Sequence, residues 1–245
     1  MRESVVTDAL LLRATDYRDA DRIVTFFTAD LGKVSAIARG AKGSRRRFAG
    51  SLEPYALIRT ELELGTGELA TLKRADIVQS FAAILAELER MEVAGAALAL
   101  VREAHAPRVP DTQLFVSAVQ FLTLLDHEPD PGRAALLAFA MRTLALAGMA
   151  PRLGVCGRSE EPVPTGKAAY FDPALGAVVS RRFGGGPFLL SGEVRERLLL
   201  AQTDAWLGAA RVLWEPEALK DARCALAAFI ARQLSEELAS RLFPN

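Results

Sequence analysis

The chain has 245 residues, 51% of them hydrophobic and 24% charged, and its 30 Lys and Arg balance 30 Asp and Glu to a net charge of zero. That length and apolar content suffice for one large core or for two to three small modules, and the zero balance excludes binding of polyanions through an overall positive field, so any nucleic-acid contact must come from a local patch. No uninterrupted apolar run approaches the roughly eighteen residues of a membrane span, and Met1, Arg2 and Glu3 lead into a strand pattern without a signal-peptide core, which predicts a cytoplasmic protein.

From residue 5 to about residue 80 the periodicity is near two and predicts five strands, at 5–12, 23–28, 33–38, 56–64 and 69–78. The fourth is the clearest: Ala56, Ile58, Thr60, Leu62 and Leu64 fall on one face, Arg59, Glu61 and Glu63 on the other. Asp30-Leu31-Gly32 and Gly65-Thr66-Gly67 supply turns, the second of them a hairpin. Five short strands of this kind suggest a small barrel. After Ser80 an Ala- and Leu-rich pattern predicts helices at 81–105, 112–126 and 131–147, punctuated by Pro107, Pro110, Pro129 and Pro131. Residues 148–187 break into Gly, Pro and short apolar pairs, a small irregular insert. Ser191 then N-caps a helix with Glu193 in its first turn, Trp206 and Trp214 are eight apart on a predicted helix and suit core packing, and Leu219, Leu226, Ile230, Leu234, Leu238 and Leu242 form the buried stripe of a last helix. Domains are expected at 1–80, at 81–147 with 188–245, and at 148–187.

The charge is not evenly spread. Residues 33–47, KVSAIARGAKGSRRR, contain six Lys or Arg and no Asp or Glu. Alternation places Lys33 and Arg39 on one face of the third strand, and the loop that follows carries Lys42, Arg45, Arg46 and Arg47 among three glycines. These six are the candidate nucleic-acid-binding residues, with Phe48 as a base-stacking neighbour that would contribute roughly 1–3 kcal/mol per base. A solvated basic loop is the alternative; its place on a five-strand module favours binding, since oligonucleotide-binding folds use that face and those loops.

Support for catalysis is thin. There is no P-loop, and Gly184-Gly185-Gly186-Pro187 looks like a turn. His105 and His127 lie at predicted helix ends without a neighbouring Cys or His. Asp16, Asp19 and Asp21 interleave with Arg18 and Arg22, which suits a salt-bridged turn better than a metal or nuclease site. Cys156 and Cys224 are expected as free thiols.

Several short words stand in the order found in the RecO family of bacterial recombination mediators: Ala9-Leu10-Leu11-Leu12-Arg13, Tyr17-Arg18-Asp19-Ala20-Asp21, Ile23-Val24-Thr25-Phe26-Phe27-Thr28, Gly32-Lys33, Ala38-Arg39-Gly40-Ala41, Leu52-Glu53-Pro54, and Gly148-Met149-Ala150-Pro151-Arg152-Leu153 at the entry to the insert. The chain resembles that family over essentially its whole length. The resemblance implies an α+β fold: an N-terminal five-stranded OB-type barrel, then an α-helical domain interrupted by a zinc-ribbon-like insert. It implies a non-enzymatic, nucleoid-associated protein without a cofactor. Such a protein binds single- and double-stranded DNA, anneals strands, and with RecR assists RecA loading on DNA coated by single-stranded DNA-binding protein, whose acidic, hydrophobic tail would dock on the helices. It also implies that basic residues of the barrel and its loop, the region of Lys33, Arg39, Lys42, Arg45, Arg46 and Arg47, contact DNA. If all six met single-stranded phosphates, the log-log salt slope would approach about −4.

The sequence departs from the family at the insert. Many members carry two Cys-x-x-Cys pairs, a tetrahedral zinc set; the corresponding positions here read Cys156, Ser159, Ser180 and Phe183. One thiolate in four predicts no metal, and the insert is then expected to be mobile and to rest on Tyr170, Phe171, Val178, Val179 and Phe183. Two other readings stay open: an adaptor whose helices dock partners with incidental DNA contact, and a magnesium nuclease using Asp16, Asp19 and Asp21.

Overall fold

The computed structural model describes residues 3–44, 46–48, 50–128 and 132–244. The fold is α+β, in two compact units, Met1–Pro129 and Asp130–Asn245.

In the first unit, β1 (Glu3–Tyr17), β2 (Asp21–Thr28), β3 (Gly32–Ala38), β4 (Ala56–Leu64) and β5 (Leu69–Ser80) form a sheet in the order β1-β2-β3-β5-β4. It closes because β4 also pairs antiparallel with β1, from Glu3 opposite Leu64 to Leu10 opposite Leu57, while β3 and β5 run parallel. Period-two alternation fills the ring: Val24 and Phe26, Val34, Ala36 and Ala38, Ile58 and Leu62, Ala70 and Leu72 all point into one core. Burying a side chain such as Phe26 or Leu62 contributes about 1.5–3 kcal/mol.

β1 outruns the predicted strand. Arg13 to Tyr17 are exposed and lack apolar alternation, yet pair with Thr25 to Asp21 of β2 beyond an irregularity at Leu11/Arg13. At the start of β3, Gly32 sits at φ 65°, and a Cβ there would lie 2.0 Å from the Val109 carbonyl oxygen. Only glycine allows the turn and that approach.

The helical stretch predicted as one element at 81–105 is two, α1 (Ala82–Ala86) and α2 (Leu88–Ala104), parted by Glu87 in an extended conformation. α3 (Thr112–His127) begins with the Asp111 carboxylate accepting the Leu114 N–H at 2.9 Å. At its other end the buried Arg90 of α2 donates to the Leu125 carbonyl and, at 2.9 Å, to that of Glu128. Phe27, one residue out of register with Phe26, meets His105 edge-on at 5.3 Å and Phe115 at 6.1 Å. His105 follows α2 directly, and its Nε2 lies 2.7 Å from the Val109 carbonyl oxygen, a helix-end role. These contacts explain why α2 and α3 belong to the unit of the closed sheet.

In the second unit α4 (Gly132–Leu146) precedes a four-stranded sheet of β6 (Arg152–Cys156), β7 (Ala169–Asp172), β8 (Ala177–Val179) and β9 (Phe188–Leu190), ordered β6-β8-β7-β9. Then come α5 (Gly192–Ala201), capped by Ser191, α6 (Trp206–Ala210), α7 (Pro216–Gln233) and α8 (Glu236–Leu242). Trp206 is 1% exposed against Phe139, but Trp214 lies beyond α6 in a loop with Arg197 over its ring, so the two do not share a helix. The apolar stripe is likewise split: the Ser235 hydroxyl accepts the Leu238 N–H and starts α8, so the stripe is shared by two helices.

The apolar residues expected to hold the insert do so in part. Phe171, Val178 and Val179 are buried, with Phe171 edge-on to Phe229 of α7 at 5.9 Å, but Phe183 is 37% exposed under the Arg182 guanidinium. The larger tie is polar. Arg195 of α5, 1% exposed, donates to the carbonyls of Leu153, Val163, Pro164 and Lys167, so one guanidinium satisfies four backbone acceptors of the insert.

Candidate nucleic-acid interface

The basic stretch leaves β3 through Gly40, at φ 65°, whose N–H donates to the Asp21 carboxylate at 2.8 Å. A single 3-10 turn, Ala41–Gly43, follows. Lys42 ties this turn to the β1–β2 connection: its N–H donates to the Ala20 carbonyl at 3.1 Å, and its ammonium lies 3.1 Å from the Asp16 carboxylate and 3.4 Å from the Arg18 carbonyl oxygen. The Lys42 ammonium, assisted by Arg22, holds the Asp16 carboxyl below its usual range despite slight desolvation. Asp16 and Asp21 are therefore spent on positioning the loop, the salt-bridged turn the interleaved charges predict.

Downstream, Phe48 is the anchor. It is 2% exposed and sits in the core of the closed sheet with Leu52. The Ser51 hydroxyl lies 2.8 Å from the Phe48 carbonyl oxygen and 2.9 Å from that of Ala75, and the Ala75 N–H donates to the Arg47 carbonyl at 3.0 Å. A ring so enclosed cannot stack on a base, which corrects the stacking role expected of Phe48; its apolar surface is worth more inside than against a nucleotide.

The candidate cations divide by what they touch. Arg39, Lys42, Arg46 and Arg47 are exposed, and Arg47 donates from Nη2 to the Arg39 carbonyl at 2.7 Å, which brings those two together. Arg45 lies outside the described residues. Lys33 is elsewhere: its ammonium donates to the Arg102 carbonyl at 2.6 Å at the end of α2, and its own carbonyl accepts the Arg108 N–H at 2.9 Å. Burial, with the Arg102 charge added, pushes its pKa down. Parity does put Lys33 on the outward side of β3, where α2 rather than solvent meets it.

Around the rest of the sheet the charges are neutralised in pairs: Arg59 with Asp8 at 2.6 Å, Lys73 with Glu63 at 2.9 Å, Arg74 with Asp76 at 2.6 Å. Among the described residues no carboxylate pairs with Arg13, Arg18, Arg39, Arg46 or Arg47. Unneutralised positive charge therefore collects on the loop and the β1–β2 extension. Sequence reading set Arg18 aside because Asp16, Asp19 and Asp21 interleave with it, and gave Arg13 no role; that Asp16 and Asp21 turn to the loop is settled by contacts with Lys42 and Gly40 that no local pattern carries.

The insert does not fit a zinc ion. Its four corner positions offer one sulfur, two hydroxyls and a phenyl ring, and no group of three or more His, Cys, Asp or Glu side chains suited to a metal occurs among the described residues. Cys156 is fully buried, and its sulfur accepts the Ser180 N–H at 3.5 Å. Burial pushes the thiol up, but the Ser159 hydroxyl and the N–H groups of Ser180, Arg158 and Ser159 outweigh it and bring it down to about 6. The two turns are further joined by Arg158, which donates to the Phe183 carbonyl at 2.5 Å, and by the Arg182–Glu161 ion pair. No helix among the described residues is long and apolar enough to cross a membrane.

Residues 1–81 match the family model for the N-terminal part of recombination protein O, and residues 85–242 match that for its C-terminal part. A protein of Anaeromyxobacter sp. (strain K) named DNA repair protein RecO is 38% identical over 244 residues, covering 98% of this chain and 96% of its own length. Proteins of the same name from Myxococcus xanthus and Geobacter metallireducens are 36% and 34% identical, covering 95% and 98% of this chain and 93% and 97% of their own lengths. With both family models matched and relatives aligned over almost their full length, this chain belongs to the RecO family.

Proposed function

We propose that this protein is a non-enzymatic mediator of DNA repair and recombination at the nucleoid, which binds single- and double-stranded DNA through the loop after β3. The proposed contacts are Arg39, Arg45, Arg46 and Arg47, with Lys42 held by Asp16 to position the loop and Lys33 serving to hold β3 to α2. What carries the reading is the contrast between the paired charges of the remaining sheet and Arg39, Arg46 and Arg47, which no carboxylate among the described residues pairs. Cations without a carboxylate partner are available to replace the counterions of a phosphate backbone, and release of those counterions drives association. Neutralising two strands on one surface lets bases pair without any covalent step, which is annealing. We further propose that it works with RecR to assist RecA loading on DNA coated by single-stranded DNA-binding protein, a role that membership of the RecO family supports.

A cavity of about 470 Å³ in the second unit supports a protein partner as well. It is lined by Lys220, Arg223, Cys224, Ala227, Phe243 and Pro244. Arg223 has a buried Nε without a partner among the described residues, and burial together with the Arg133 charge disfavours its ionised form. An apolar, acidic chain end would fill the cavity and relieve that charge, and the tail of single-stranded DNA-binding protein has this chemistry.

Titration of a labelled single-stranded oligonucleotide, followed by anisotropy across a salt series, tests the DNA reading. Four contacts predict a log-log slope of about −2.8. Absence of binding at low salt would leave the adaptor reading in its place.

A further inference from the structure

We infer that Tyr17, at the tip of the β1–β2 hairpin, is a base-stacking platform for single-stranded DNA; this rests on the proposed DNA binding by the adjacent loop. Stacking needs an exposed ring beside the backbone-binding cations. Phe48 is sealed in the core, and Tyr55 donates its hydroxyl to the Met91 carbonyl at 2.9 Å. Among the described aromatic residues of the first unit, Tyr17, 37% exposed, is the one left at the surface.

Its surroundings suit a nucleotide. The Arg18 guanidinium carbon lies over the Tyr17 ring, 5.1 Å from its centre, so a planar cation already covers one face and a base would stack on the other. Arg18 adopts φ 54°, a left-handed conformation that a residue without glycine's freedom takes only where its surroundings hold it. Those surroundings are the basic loop itself: the Lys42 ammonium lies 3.4 Å from the Arg18 carbonyl oxygen, and the Lys42 N–H donates to the next carbonyl but one, that of Ala20. The Lys42–Asp16 pair at 3.1 Å completes the connection, and Asp16 immediately precedes Tyr17. The ring and the loop therefore form one surface, with the cations receiving phosphates and Tyr17 receiving a base. Because rings of every base have a π face, this contact adds affinity without sequence preference.

The test separates stacking from charge. Tyr17→Ala and Tyr17→Trp are titrated with a labelled single-stranded oligonucleotide and with an abasic oligomer of equal length, across the same salt series as the unaltered protein. We expect Tyr17→Ala to weaken binding about fivefold or more at every salt concentration with an unchanged slope, Tyr17→Trp to restore it, and all three proteins to bind the abasic oligomer alike. Equal affinity of Tyr17→Ala and the unaltered protein for the base-bearing strand would overturn the stacking role alone. A weaker Tyr17→Ala with a flatter slope, or an equal loss on the abasic oligomer, would also overturn it by assigning the effect to charge or to loop position. Failure of the unaltered protein to bind either oligomer would overturn both this inference and the proposed function.

Discussion

The guanidinium carbon of Arg47 lies 5.0 Å from the centre of the Phe48 ring, while that ring is buried in the closed sheet. Adjacent positions thus point one side chain into the core and leave the other at the surface, and the first fixes the second. This is how a glycine-containing basic loop presents its charge at a definite place. The cation–π contact is worth about 0.5–1 kcal/mol at an exposed site, but the anchoring is set by the larger burial energy of the ring.

Phe48→Ala should therefore destabilise the protein by about 3–5 kcal/mol, the usual cost of emptying a buried aromatic site. Urea unfolding of the full chain measures it. A loss within about 0.5 kcal/mol, as at an unconstrained surface position, would mean that Phe48 does not anchor the loop.

Arg195→Ala removes the donor that four insert carbonyls share. A buried carbonyl left without its donor costs about 1–3 kcal/mol, and the expected result is a lower midpoint of thermal unfolding together with faster proteolysis within 157–187. Arg195→Lys should rescue little, since an ammonium cannot reproduce the planar fork.

Cys156 predicts a pH dependence of stability. Its folded pKa, about 6, lies below the ordinary thiol value of 9.0, so the folded protein releases its proton first. The stabilisation is fully present above pH 9 and is lost as pH falls through about 6. The stability difference between the unaltered protein and Cys156→Ala should widen from pH 6 to pH 9, read by urea unfolding at each pH; a difference independent of pH would contradict a native thiolate. With a single thiolate among the four corners, the protein should also carry no stoichiometric zinc, and a chelator should leave its melting temperature unchanged.

The legible parts of the sequence were those where periodicity and burial coincide. The alternation of 56–64 identifies β4 and its inward face, Ala56, Ile58, Thr60 and Leu62, because one side of that strand faces the core and the other water. The extension of β1 was hidden because residues 13–17 are exposed and no apolar face marks them. Helix breaks at Glu87 and Ser235 were masked by apolar stripes that continue across them, although Ser235 followed by Glu236 and Glu237 is an N-terminal capping pattern. At the loop, composition marked the cluster of positive charge but not the fate of each member. Lys33 was drawn to a helix end and Phe48 into the core by residues distant in the chain, Arg102 and Ala75 among them, and no local pattern carries that information.

The most direct test of DNA binding by the loop is the salt dependence of single-stranded DNA binding by Arg45/Arg46/Arg47→Ala, measured beside the unaltered protein and Lys33→Ala. Each lost phosphate contact removes about 0.7 from the slope, so the triple variant should be flatter by about 2, while Lys33→Ala, whose ammonium is held by Arg102, should keep the parent slope. A triple variant that retains the parent slope would contradict the assignment of DNA to this loop.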